Sequence, residues 1–447
     1  MRRDTTTLRD FELPPLREFE TAGGLRVIVA RRKGIPLATA RLSTWAGSAT
    51  DPPRKRGLAD FTATLLRRGT RRMRAEQVDD AIEFWGGNLG TAASEDFAAL
   101  QVSGPVEHFP KLLDVFGQIV LEPSFPQREV VAARKRWIAQ IVNDLDDPAQ
   151  VASRAVVRAL WGDHPYGHPV EGSIRDVGTF TRADAIGFHR KRFGPKASVL
   201  VIVGDIAEQA VRAAVEGTFG RWRGEAEGPP ALEKRESPAL PGEALLVHKP
   251  EQTQTQVRLA ALAFPKGDPD SFPAEVLETV LGGVFTSRLM QAIRVERGLS
   301  YGANSSFDSY LAGGSLIVST FTKTETTREI IEVALGEIAK LREKGPTRGE
   351  MSAAQTYLAG LFPLRLETNE ALAGAIGELK LYGLPEEWVT GYRRKITELI
   401  PEQIVQVARK YLAPDRFTFA LVGDASAVAR QLRGLIRTRV RPISDLR

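Results

Sequence analysis

The chain has 447 residues, 43% of them hydrophobic and 26% charged. That is enough for roughly two to four domains with a sizeable core, and it excludes wholesale disorder, collagen and a coiled-coil rod. Net charge is +6 with a pI of about 9.5 and no cysteine, which excludes disulfides, Cys-ligated zinc and a thiol nucleophile.

The basic residues lie in short pieces such as Arg54-Lys55-Arg56 and Arg71-Arg72, without interleaved aromatics. A solvated surface is therefore expected, and no nucleic-acid partner. No apolar run approaches the roughly 18 residues of a membrane span, so none is expected. Met1-Arg2-Arg3 continues into Asp4 and three Thr with no apolar h-region. No signal peptide is expected, and the expected compartment is the cytoplasm, or the periplasm if a leader is missing from the sequence.

In chain order, Leu25–Val29 and Ala38–Thr44 read as an antiparallel pair of strands. Helical periodicity follows at Gly57–Arg68, Ala75–Trp85, Val106–Val120 and Gln127–Asp144. Gly224–Glu243 carries four Pro and several Gly with no apolar period, and reads as an exposed linker. It divides the chain into an N-terminal domain 1–223, a linker 224–243 and a C-terminal domain 244–447. The second half predicts strands near Gln256–Ala261, Ser300–Phe307 and Ser315–Phe321, and helices at Pro273–Leu281, Glu325–Leu341 and Thr347–Leu361.

The halves read as copies of one unit. Lys191, Pro195, Val203, Gly204 and Asp205 match Lys410, Pro414, Val422, Gly423 and Asp424 at one constant offset of 219. The fold class is therefore α+β, two similar halves, each a mainly antiparallel sheet with helices packed on one face.

The stretch Arg56–Thr70, RGLADFTATLLRRGT, resembles the zinc helix of the pitrilysin, or insulinase-like, metallopeptidases. These are the inverzincins, whose helix carries His-x-x-Glu-His. Gly57, Leu58, Ala59, Phe61, Leu66, Gly69 and Thr70 match the family's frame, but Asp60 and Thr64 stand for the two His and Ala63 for the Glu. Residues i and i+4 share a helical face, so two His at that spacing can grip one ion. A catalytic zinc needs three protein ligands and an open position. Asp60 can ligate, Thr64 is a poor neutral ligand, and Ala63 cannot act as a base. The resemblance implies a third ligand, a Glu on a later helix, and it falls on Gln140; the upstream acidic partner falls on Ala133. No zinc or other cofactor is expected in this chain. His164 and His168 are separated by Pro165 and build no helical metal pair; His108, His189 and His248 read as surface or capping residues.

The run from Leu281 to Tyr301, LGGVFTSRLMQAIRVERGLSY, resembles the family's C-terminal signature. The resemblance implies that Arg294 and Tyr301 point into one cleft and donate hydrogen bonds to substrate carbonyls and to the charge of a tetrahedral intermediate. Arg294 is expected two turns into a helix that Arg297-Gly298 ends, with Tyr301 opening the next strand. Leu281, Phe285, Leu289, Ile293 and Leu299 are expected to face the core.

A further matching stretch, Gly86–Ser94, implies an edge strand that holds extended peptide by β-augmentation through Gly90, Thr91 and Ala92. The resemblance spans about residues 15–435. It points to the non-catalytic, Arg/Tyr-bearing subunit of a two-chain zinc peptidase of the branch related to mitochondrial processing peptidase. Its partner would be a homologous subunit carrying the zinc, with a homodimer as the fallback assembly. A core-protein-like scaffold without peptidase role and a stand-alone peptide-binding protein are the alternatives.

Overall fold

The computed structural model describes residues 10–446. Among the described residues, twelve strands form two six-stranded sheets. In the first half they are β1 (Leu16–Glu20), β2 (Arg26–Arg31), β3 (Leu37–Thr44), β4 (Asn88–Ala93), β5 (Ala98–Pro105) and β6 (Ser198–Gly204). In the second they are β7 (Glu243–His248), β8 (Gln254–Ala263), β9 (Ala303–Tyr310), β10 (Gly313–Lys323), β11 (Thr418–Gly423) and β12 (Arg437–Pro442).

The sheet orders are β1-β2-β6-β3-β5-β4 and β12-β7-β11-β8-β10-β9. Five strands therefore correspond in the same order, and only the outer strand differs. It comes from the N-terminus and runs antiparallel in one half, and from the C-terminus and runs parallel in the other. β2 with β6 and β7 with β11 are also parallel; the remaining pairs are antiparallel. The matched Pro195 and Pro414 open short 3₁₀ turns that feed β6 and β11. Apart from the opening Ser198 and Thr418 both strands are apolar, and both are buried along their length, as interior strands covered on both faces must be.

Within each half the helices pack on one face of the sheet, and the opposite face is covered by the other half. The Pro148–Trp161 helix of the first half lies against β7, β8 and β11, and the Asn369–Leu381 helix of the second lies against β3 and β6. Accordingly Val27, Val29, Leu200 and Ile202 belong to the first half's core, whereas Ile28, Ala30, Val201 and Val203 pack against Leu372, Ala373 and Ile376. Linker residues 224–242 carry no helix or strand, and β7 begins at Glu243, yet the segment is fastened down: Ala239 and Leu240 donate to the carbonyls of Leu160 and Ala159, and Gly242 to that of Phe417.

A buried polar node also joins the halves. Asp96, in the β4–β5 turn, accepts from the Tyr166 hydroxyl at 2.5 Å, the Tyr382 hydroxyl at 2.7 Å and the Leu311 amide at 2.7 Å. Tyr166 belongs to the first half; Tyr382 and Leu311 belong to the second. Asp96 is 1% exposed, so these three donors replace the water that a buried carboxylate would otherwise lack.

Candidate functional site

The helix that resembles the zinc helix spans Leu58–Leu66 and is capped from upstream. Asp51 accepts from the amides of Gly57 (2.6 Å) and Ala59 (2.8 Å), two of the donors that a helix start leaves without partners. Gly57 has φ +95°, and a Cβ there would lie 2.5 Å from the Glu171 carbonyl oxygen, so glycine is required on both counts.

The four chemical positions do not make a metal site. Asp60 turns to the sheet, and its carboxylate accepts from the Ala93 amide at 2.9 Å. Burial, with Glu171 nearby, raises its pKa to about 6 against the pull of that hydrogen bond. Ala63 is a fully buried methyl group and Thr64 is half-buried. Gln140, exposed on the Gln127–Asp146 helix, donates to Asp144 at 2.8 Å on its own helix. One carboxylate, already hydrogen-bonded, with a hydroxyl and an amide does not fit a tetrahedral zinc, and nothing stands where the base would be. Among the described residues no three His, Cys, Asp or Glu gather as a metal-binding group.

The histidines have other roles. His164 Nδ1 accepts from the Tyr166 amide, so its Nε2 donates to the Glu233 carbonyl (2.9 Å). His168 donates to the Pro169 carbonyl, and His248 accepts from the Ala425 amide at a helix start. His189 departs from the surface reading. It is stacked on Phe193 and donates to the Val120 carbonyl, and burial lowers its pKa to about 4.

β4 is the open edge of its sheet, but the Leu58–Leu66 helix occupies part of that edge. Besides Asp60 on Ala93, Arg67 donates to the Leu89 carbonyl at 3.1 Å. By strand parity Thr91 turns its N–H and C=O to the same edge, whereas Gly90 and Ala92 turn theirs to β5. Thr91 is thus the one member of Gly90, Thr91 and Ala92 whose backbone faces outward.

The Arg/Tyr segment has an unusual winding. The Ser271–Glu278 helix widens into an i→i+5 turn at Thr279–Gly283, and the next helix is wide over Met290–Val295. Gly298 (φ +61°) ends it, with its amide on the Arg294 carbonyl (3.2 Å) and the Leu299 amide on that of Ile293 (2.9 Å). Leu281, Leu289 and Ile293 are fully buried, and Leu299 is partly so. Phe285 is not a core residue. It is 60% exposed, and its ring lies 4.9 Å beneath the Arg294 guanidinium. The turn between the two helices carries residue 285 outward, which a simple helical period does not anticipate. Tyr301 is 81% exposed and stands two residues before β9. Neither the Arg294 nor the Tyr301 side chain has a hydrogen bond or ion pair among the described residues. Both are therefore available to a ligand.

Two similar α+β halves, with the Leu58–Leu66 helix against the open edge of one sheet, make up the scaffold. The insulinase (peptidase family M16) profile matches residues 26–173, and the peptidase M16 inactive domain profile matches 179–358. The chain belongs to peptidase family M16. A zinc protease of Mycobacterium tuberculosis is 26% identical over 93% of this chain and 95% of its own. One of Mycobacterium leprae is 27% identical over 93% and 94%. The crystal structure of a peptidase M16 inactive domain from Pseudomonas fluorescens superposes with a TM-score of 0.86 at 26% identity, covering 92% of this chain and 98% of that one. A Helicobacter pylori protease shares the fold, with a TM-score of 0.85 at 18% identity, over 92% and 100%. The inactive-domain match lies outside the zinc helix. Whether the chain can hold a metal therefore turns on Asp60, Ala63, Thr64 and Gln140 themselves.

Proposed function

We propose that this chain is the non-catalytic subunit of a heterodimeric zinc peptidase. It supplies Arg294 and Tyr301 to a site whose metal and base belong to a homologous partner. The observation that carries this reading is the contrast between the two ends of the chain. Every metal-site position is replaced, while Arg294 and Tyr301, whose side chains have no hydrogen bond or ion pair among the described residues, stand in an unbroken signature from Leu281 to Tyr301. Arg294 has no acidic partner and lies over the exposed Phe285 ring, and the Tyr301 hydroxyl has no hydrogen bond among the described residues. They are suited to donate to peptide carbonyls and to an oxyanion.

The test is reconstitution with a homologous chain that retains His-x-x-Glu-His. The mixture should elute as a one-to-one complex and cleave a fluorogenic peptide faster than the partner alone. Tyr301→Phe and Arg294→Ala should preserve the complex and lower kcat by about 10²–10³, the usual cost of one oxyanion donor. Complexes that assemble with both substitutions and keep wild-type kcat/KM would sink the proposal in favour of a structural subunit.

A further inference from the structure

We propose that the cavity beside Arg294 is a specificity pocket for an aromatic side chain of the bound peptide; this rests on the reading of Arg294 as a substrate-binding residue. The cavity measures about 480 Å³ and lies between the Thr279–Ser287 segment and the Arg348–Arg365 helix. Its apolar walls are Val280, Val284, Phe285, Ala353, Ala354 and Tyr357. Ligand pockets are commonly about 300–1,000 Å³, mostly apolar, with a few polar groups.

Three observations join this cavity to a peptide. Phe285 and Tyr357, on separate elements, are 60% and 46% exposed and border the same space. Exposed rings facing one cavity offer edge and face contacts to a third ring. Phe285 also lies directly under the Arg294 guanidinium, at 4.9 Å. A peptide held at Arg294 therefore reaches the cavity within one residue, since successive Cα atoms are about 3.8 Å apart. Finally, the wall is a fixed structure. The wide turn at Thr279–Gly283 is pinned at Gly282, where a Cβ would fall 2.5 Å from the Ser305 amide nitrogen. Such turns inside helices recur at functional sites.

The charge at the rim is already matched, which sets the chemistry of the occupant. Glu350 is paired with Arg288 at 2.7 Å, so the cavity presents no free carboxylate. A neutral aromatic group fits these walls; a charged one would lose its hydration there without a partner.

The full chain titrated calorimetrically with blocked Ala-Ala-Xaa-Ala-Ala peptides (Xaa Phe, Leu, Ala or Asp) tests the pocket. The Phe peptide should bind about tenfold tighter than the Ala peptide, and the Asp peptide most weakly. Ala353 is an exposed wall position. Ala353→Trp should fill the cavity and bring the Phe peptide to the Ala level, with an unchanged thermal melt. Phe285→Ala should also reduce the preference. Equal affinity for all four peptides, no binding by any, or a Phe preference that survives Ala353→Trp overturns the pocket. Arg294→Ala separates the two claims, because it should weaken all four peptides alike. A Phe preference that persists while Arg294→Ala changes neither binding nor reconstituted activity would support the pocket and overturn the reading of Arg294.

Discussion

The Asp60 carboxylate accepts the Ala93 amide at 2.9 Å, one helical position where the family's zinc helix has a ligand. In this chain the carboxylate acts as a strand-edge cap. Arg67, one turn after Ala63, caps the Leu89 carbonyl on the same edge. Helix and strand are thereby joined across the place where zinc and substrate would meet in a catalytic member.

The purified chain should contain far less than one zinc per molecule by elemental analysis and should hydrolyse no peptide. Stoichiometric, tightly held zinc would contradict the assignment of Asp60, Thr64 and Gln140 as a failed ligand set.

Asp60→Ala should leave the Ala93 amide without a partner in a half-buried position and lower stability by about 1–3 kcal/mol. Urea denaturation measures the loss. Hydrogen exchange over β4 should accelerate in the same variant, and unchanged protection there would mean that the cap is unimportant.

Burial raises Glu278 to a pKa of about 7, although its carboxylate accepts from the Phe307 amide. Asp60 behaves alike, at about 6. A raised carboxyl pKa means that the native state holds its proton after the unfolded chain has released it. Stability should therefore fall as pH rises, between 4.5 and about 7 for Glu278 and between 3.8 and about 6 for Asp60. The Glu278 contribution is at most roughly 3 kcal/mol. Glu350 works in the other direction. Burial opposes its ionisation, but Arg288 and Thr347 hold it at about 2, so its stabilisation is lost as pH falls from 4.5 toward that value. Buried His189, at about 4, works against this, gaining stability as pH rises from 4 to 6.5. The check is therefore differential: relative to the parent, Glu278→Gln should gain stability in urea titrations between pH 4.5 and about 7.

Asp96→Ala would strip three buried donors of their acceptor and should cost about 3 kcal/mol or more. Tyr382→Phe, which removes one donor and leaves Asp96 two others, should cost about 1 kcal/mol. Thermal unfolding of the two variants checks the order. A Tyr382→Phe loss as large as that of Asp96→Ala would place the energy in the tyrosine and not in the carboxylate.

Much of this architecture was legible in the sequence. The constant offset of 219 matched the prolines before β6 and β11 and the glycines that end them, and the seven helices assigned by periodicity fall within a few residues of observed ones. What could not be read was long-range placement. Periodicity did not mark Pro148–Trp161 or Asn369–Leu381, because a short Ala-rich apolar face says nothing about which sheet it will cover. Phe285 was misread for a local reason: a widened turn breaks the 3.6-residue phase that assigns faces. The replacement of the metal ligands was visible at once, whereas the new partners of Asp60 and Gln140 required coordinates.

The crossing of those two helices has a consequence for how the chain can be divided. Each sheet finishes its second face with a helix encoded on the far side of the linker. Separately expressed fragments 1–223 and 244–447 would each expose an apolar helix and an uncovered sheet, and would aggregate or remain partly unfolded. Produced together they should complement one another, as would a chain nicked within 224–243. Although the sequence was duplicated, the copies have become mutually dependent, and the smallest autonomous folding unit is the whole pair.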